Sequence, residues 1–172
     1  MGGLTGFLGV FVMAELNKEF KELIIAIGTV TYHWAQIERQ LENWIVFIFF
    51  NYDATSIRKD VPRSLKAKIA FLRISFRKFD ALEKFKLHAL DLLQKVSDNA
   101  EKRHSFVHGT VYSLTPKSFE FTRLKSFEQY YLIEKNKFST KTYKALLNDL
   151  SALYDDTALL SESLLKMTRR KK

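Results

Sequence analysis

The chain reads as mainly all-α: an up-down four-helix bundle with a small β-hairpin or three-stranded insertion between its last two helices. Two observations carry this reading. Apolar residues recur at alternating steps of three and four over four separate stretches, the period that lines one face of a helix. Between the third and fourth stretches that period is lost, and turn-forming residues break the pattern, as short strands do.

The first stripe runs Leu16, Phe20, Leu23, Ile27, Val30, Trp34, Ile37, Leu41, Trp44, Ile48. It predicts one long helix or two nearly collinear ones, about 50 Å in length at 1.5 Å per residue. Gly28 and Thr29 mark the expected kink, and Asn51, Asp53 and Ser56 supply the turn that ends it. Pro62 and Ser64 start the second helix, with the stripe Leu65, Ile69, Leu72, Phe76 and Phe79. Asp80 is placed to cap the third, whose stripe is Leu82, Phe85, Ala89, Leu92, Val96 and Ala100. Gly109 is the residue type expected just past its end. Val111, Leu114, Phe119 and Phe121 then flank the turn Thr115-Pro116-Lys117-Ser118, predicting two strands, and Gln129 to Ile133 predict a third. The insertion so defined covers about 110–134. Ser139 or Thr140 caps the last helix, with the stripe Tyr143, Leu146, Leu150, Leu153, Thr157, Leu160, Leu164, Met167.

The segment Arg103-His104-Ser105-Phe106-Val107-His108-Gly109 holds two of the four histidines. Arg103 and Val107 are the next two positions on the third stripe. An arginine therefore stands where the pattern asks for an apolar residue, and its guanidinium is expected in a groove between helices or subunits. Such a charge needs an anionic partner. His104 and His108 lie one helical turn apart beside the stripe.

This segment resembles the motif of the HEPN superfamily (higher eukaryotes and prokaryotes nucleotide-binding domains): an Arg, four to six residues, then a His, at the end of a helix in a helical bundle. Here the pair is Arg103 and His108; the position after the Arg, commonly Asn in that family, is His104. Trp34-Ala35-Gln36-Ile37-Glu38-Arg39-Gln40-Leu41 in an early long helix and Ser64-Leu65-Lys66-Ala67-Lys68-Ile69 in a second also look like this superfamily. The resemblance covers roughly residues 30 to 110. It implies a single HEPN-like domain over 14–172 and a metal-independent ribonuclease of the toxin or anti-phage defence kind, with no cofactor. His108 is then the proton-transfer group and Arg103 stabilises charge on the phosphate, with His104 a second proton-transfer group or phosphate-orienting residue. RNA carries its own nucleophile, the 2′-OH, and the products are 2′,3′-cyclic phosphates. The resemblance further implies a homodimer and a nucleotidyltransferase-like antitoxin partner; its alternative outcome is a non-catalytic dimer that binds nucleotide, RNA or a protein.

Blander readings compete. Glu38, the supporting residue beside the Trp34–Leu41 stripe, is a carboxylate available to pair with Arg103, and histidines favour a helix C-terminus because the dipole there attracts cations. Glu101, His104 and His108, at steps of three and four, share one helix face and form a partial metal constellation. His33 and His88 read as surface or core-edge residues. Between Arg58 and Lys78 lie eight basic residues and one acid. Lys66, Arg73 and Arg77 fall in a narrow arc about 100° from the apolar stripe, either a phosphate-tracking surface or a solvated face.

With 47% hydrophobic and 27% charged residues the composition is that of a soluble globular domain. The absence of cysteine excludes disulfides and thiolate metal sites. The net charge of +9 favours an anionic partner. Residues 1–13 read as an apolar leader, poorly ordered or a dimer-contact arm, with Met13 an alternative start. They are too short to span a bilayer and lack a basic n-region, and Gly6 stands where a lipidation signal needs Ser or Thr. No membrane association is expected, and a cytoplasmic location follows.

Overall fold

In a computed structural model of the chain, residues 18–127 and 130–169 are described. The apolar leader, Leu16, Gln129 and the basic tail beyond Arg169 lie outside them. Four helices and three strands follow in the order α1 (Lys18–Asn51), α2 (Leu65–Lys78), α3 (Glu83–His108), β1 (Thr110–Thr115), β2 (Ser118–Phe127), β3 (Tyr130–Ser139) and α4 (Thr140–Arg169). Two 3₁₀ turns, Ala54–Ser56 and Asp80–Leu82, close the loops before α2 and α3.

The four helices meet in one core, because each carries a single apolar stripe with nothing else to bury it. α1 contributes Val30, Trp34, Ile37, Leu41, Trp44 and Ile48; α4 answers with Leu146, Leu150, Leu153, Leu160 and Leu164. Buried polar groups on this seam are paired, as they must be. The Trp44 indole donates to Ser161 Oγ at 2.7 Å, and Ser161 donates to Gln40 Oε1 at 2.7 Å. α2 and α3 close the other side through Ile69, Leu72, Phe76, Ala89, Leu92 and Val96.

Two expectations change, the cap of α3 and the end of β3. Of the two forms expected for the first stripe α1 takes the first, one long helix through Gly28, where the Thr29 and Thr31 hydroxyls bond back to the carbonyls of Ile25 and Ile27 at 2.7 and 2.8 Å. Asp80 opens a 3₁₀ turn rather than capping α3, which begins after Leu82 without a side-chain cap. Gly109 stands just past the last residue of α3, as expected, and is extended at φ −77°. A Cβ there would come within 2.4 Å of the Ser105 carbonyl oxygen and 2.8 Å of Phe121 Cβ, so glycine serves close approach of helix and sheet. Finally, β3 continues past Ile133 to Ser139.

The sheet is antiparallel in the order β1-β2-β3. Residues of one parity on β2, namely Phe119, Phe121 and Arg123, face the same way, opposite Phe138, Asn136 and Glu134 of β3. Phe119 and Phe121 are buried, and Phe121 and Phe138 pack on Phe106 at 5.0 and 4.3 Å between ring centroids. In the last turn of α3 the buried positions are therefore Ser105 and Phe106, while Arg103 and Val107 of the extrapolated stripe are only half-buried. The sheet thus lies against the end of α3 that carries the histidines. Ser64 caps α2 by accepting from the Ala67 amide at 3.2 Å, and Ser139 does the same for α4 with Thr142 at 3.1 Å.

Candidate functional site

Arg103 enters a groove of about 470 Å³ walled by α1, the first turn of α2, α3 and the far half of β2. Trp34 and Glu38 come from α1, Glu101 and His104 from α3, Arg123 and Lys125 from β2. The guanidinium carbon lies 5.7 Å from the centre of the Trp34 ring, within cation–π range. Arg103 Nε is buried and has no hydrogen-bond partner, and among the described residues no carboxylate pairs with this side chain. Contact with an aromatic face stabilises a cation by about 0.5–1 kcal/mol at partly exposed sites, far less than a charged partner would supply.

Glu38 does not fill that role. Its carboxylate accepts from the Trp34 indole at 2.6 Å and stands 3.7 Å from Lys68 Nζ. Lys68, buried on α2, also pairs with Glu42 at 2.6 Å. Glu38 thus supports the site indirectly, by fixing the indole on which Arg103 rests, and the expected ion pair of Arg103 with Glu38 is replaced by one with Lys68. Lys68 stands two residues after Lys66 and five before Arg73 in the same basic stretch, yet it is the cation drawn inward.

His104 lines the same groove, and its ring centre is 4.5 Å from that of His108. Both rings are exposed, and His108, the last residue of α3, lies outside the groove's lining. Burial and, next, the positive charge of Arg123 hold the His104 imidazole below its ordinary value; His108 and Arg103 push the same way and Glu101 opposes them. The neutral ring, with one nitrogen free to accept a proton, is therefore favoured near neutrality.

Arg123 is the residue that sequence reasoning passed over. Its side chain is 9% exposed and makes ion pairs with Glu101 of α3 and Glu134 of β3. The hydrogen bond from Arg123 chiefly holds the Glu101 carboxyl below its usual range. A signal existed: at strand period two, Arg123 follows Phe119 and Phe121 on the inward face, a position where a cation needs partners. The same pairing ties up Glu101, and among the described residues no three His, Asp or Glu side chains come together as metal ligands.

The basic arc of α2 stands apart. Lys66 and Arg77 are exposed, and Arg73 donates to Gln94 Oε1 of α3 at 2.7 Å; none of the three lines the groove. His88 is exposed, whereas His33 is half-buried with Nδ1 unpartnered and its ring edge-on to Tyr32. No helix among the described residues is long and apolar enough to cross a membrane. No protein-family model matches the chain, and searches of curated proteins and of solved structures return no match.

Proposed function

We propose that the chain is a metal-independent endoribonuclease of the HEPN type, cutting RNA where Arg103, His104 and His108 converge. One observation carries the reading: a half-buried guanidinium, laid on Trp34, with no carboxylate partner among the described residues, shares its groove with the His104 imidazole, and His108 packs against that ring from outside. A phosphodiester supplies the missing anion, and a forked guanidinium suits its oxygens. A histidine takes the 2′-OH proton as that oxygen attacks phosphorus; the bond to the 5′ oxygen breaks, and that oxygen leaves with a proton. The ends are a 2′,3′-cyclic phosphate and a 5′-hydroxyl. Charge growing on the phosphate is met by Arg103.

His108 is the proton-transfer group in this proposal and His104 its neutral neighbour. Because His108 stands outside the groove of one protomer, a homodimer that places a second motif opposite the first completes the site. Large exposed apolar residues on α1, Ile24, Ile25 and Tyr32, offer surface for that contact. The up-down helix order, the toxin or anti-phage defence setting, a nucleotidyltransferase-like antitoxin and a cytoplasmic location belong to the proposal through the HEPN resemblance. A non-catalytic HEPN-like dimer that binds nucleotide, RNA or a partner protein is the second reading, favoured by the separation of His108 from the groove.

The test is incubation of purified protein with total RNA, beside His108→Ala and a chelator. Cleavage by wild type with the chelator present, lost in His108→Ala and absent on substrates 2′-deoxy at the cut, is the expected outcome. Intact RNA throughout would leave the binding reading in its place.

A further inference from the structure

A second cleft, about 400 Å³, lies on the other side of the Arg123–Glu101 ion pair, between α3, β3 and α4. Its size falls within the roughly 300–1,000 Å³ of small-molecule sites. Both clefts are lined by Glu101 and Arg123, so one ion pair is the common wall between the groove of Arg103 and this neighbour. The charges of that wall are satisfied: Arg123 is held by Glu101 and Glu134. The rest of the lining includes Phe138, with the largely buried Leu146 behind it, Lys102, Ser105, Lys137 and Thr142, which bond to Asn99, the Glu101 carbonyl, Glu120 and the Ser139 carbonyl, and two further polar groups, Asn136 and Asp149. The Asn136 and Asp149 side chains take part in no hydrogen bond or ion pair among the described residues.

A flat apolar surface with a few convergent hydrogen-bonding groups is the usual form of a site for an aromatic heterocycle. Unpaired RNA bases are recognised in this way, stacked on apolar or aromatic side chains and bonded along the Watson–Crick edge. The donor set discriminates among bases. A carboxylate only accepts, and an amide both donates and accepts. Guanine presents two adjacent donors, N1–H and the N2 amino group, to a carboxylate, with O6 beside them for an amide N–H. Uracil presents one donor between two carbonyls, so a carboxylate would face an acceptor.

We infer that this cleft is the base-reading pocket of the same enzyme, taking a guanine that neighbours the phosphate held by Arg103. Asp149 accepts from the guanine N1–H and amino group, Asn136 donates to O6, and Phe138, backed by Leu146, covers the ring. The inference rests on the ribonuclease reading for its RNA context, but the pocket can be tested without cleavage.

Two measurements separate the two. In the first, kcat/KM is compared on oligoribonucleotides that differ only in the base flanking the cut, for wild type and Asp149→Asn. In the second, binding of guanosine and uridine 5′-monophosphates is followed by the NMR resonances of Phe138 and Leu146. Guanine-flanked RNA is expected to be cut about tenfold faster than uracil-flanked RNA, the scale of one good bidentate base contact. Asp149→Asn should level the two by slowing only the guanine substrate, and the guanosine nucleotide alone should shift the resonances. Base-blind cleavage without nucleotide binding overturns the pocket and leaves the ribonuclease standing. Guanosine nucleotide binding with RNA left intact supports the pocket and overturns the ribonuclease. If Asp149→Asn instead changes the sedimentation of the protein and not its base preference, the cleft is a contact between copies and the inference fails.

Discussion

Lys68 and Arg103 are both cations set at the edge of an apolar helix stripe, and the chain treats them in opposite ways. Lys68, buried between α1 and α2, is given two carboxylates, Glu42 at 2.6 Å and Glu38 at 3.7 Å. Arg103, between α1, α3 and β2, is given the face of Trp34 and, among the described residues, no carboxylate. The two are linked, because Glu38, which pairs with Lys68, also holds the Trp34 indole beneath Arg103. A cation whose partners lie in its own chain serves the fold. One that rests on an aromatic face, with no carboxylate partner among the described residues, is open to an anion from outside.

The largest effects should fall on chemistry. Arg103→Ala removes the group that meets transition-state charge, so RNA cleavage should drop by about 10²–10³-fold, the scale of losing one such donor. The measurement is single-turnover cleavage of a labelled RNA, with far-UV circular dichroism unchanged. A variant cutting at the wild-type rate would remove Arg103 from the site.

Stability should show the reverse order. Stripping one partner from a buried ion pair costs about 3–5 kcal/mol. Glu38 and Glu42 are 31% and 56% exposed and can be rehydrated, so Lys68→Met should cost less, about 1–3 kcal/mol. Arg103→Met should stay within about 1 kcal/mol, because only the aromatic contact is lost. Urea denaturation compares the two, and a larger loss for Arg103→Met would dissolve the distinction between them.

A smaller effect concerns protons. His104 is held low first by burial and then by Arg123. A base works when neutral, so if His104 shares in proton transfer the acid limb of the rate profile lies below the ordinary histidine value of about 6.5. Arg123→Gln removes a positive neighbour and frees Glu101, and both changes favour the imidazolium. The His104 titration, followed by NMR, and the acid limb with it, should therefore move to higher pH. Movement to lower pH would contradict the assigned cause.

The smallest effect lies on α2. Lys66→Ala and Arg77→Ala should each flatten the salt dependence of RNA affinity by about one unit of slope if each contacts a phosphate. Arg73→Ala should do less, since its guanidinium is engaged by Gln94. Unchanged slopes would mean a solvated face.

The helical core was legible because its information is local: the stripes through Trp34 and Ile48, Leu72 and Phe76, Leu92 and Val96, and Leu150 and Leu164 each declare a buried face by period alone. The far end of β3 was not. Glu134, Asn136 and Phe138 alternate inward, but two of the three are polar, and their position makes sense only once Arg123 of β2 lies opposite Glu134. Lys68 was hidden for the same reason, since its carboxylates sit 26 and 30 positions earlier in the sequence. Of the expected site, Arg103, His104 and Glu38 do share a groove; that Glu38 serves Trp34 and Lys68 rather than Arg103, and that His108 stands one turn outside, are matters of tertiary packing. Gly109 was legible as the residue that ends α3, but no local pattern announces the approach of Phe121.

The most direct measurement is affinity for an uncleavable RNA, 2′-deoxy at the cut, set beside melting temperature for wild type and Arg103→Met. If Arg103 awaits a phosphate, affinity should fall about tenfold, the loss of one charged hydrogen-bonded contact, while the melting temperature stays near that of wild type. Unchanged affinity together with a clear drop in melting temperature would show that Arg103 belongs to the fold, as Lys68 does.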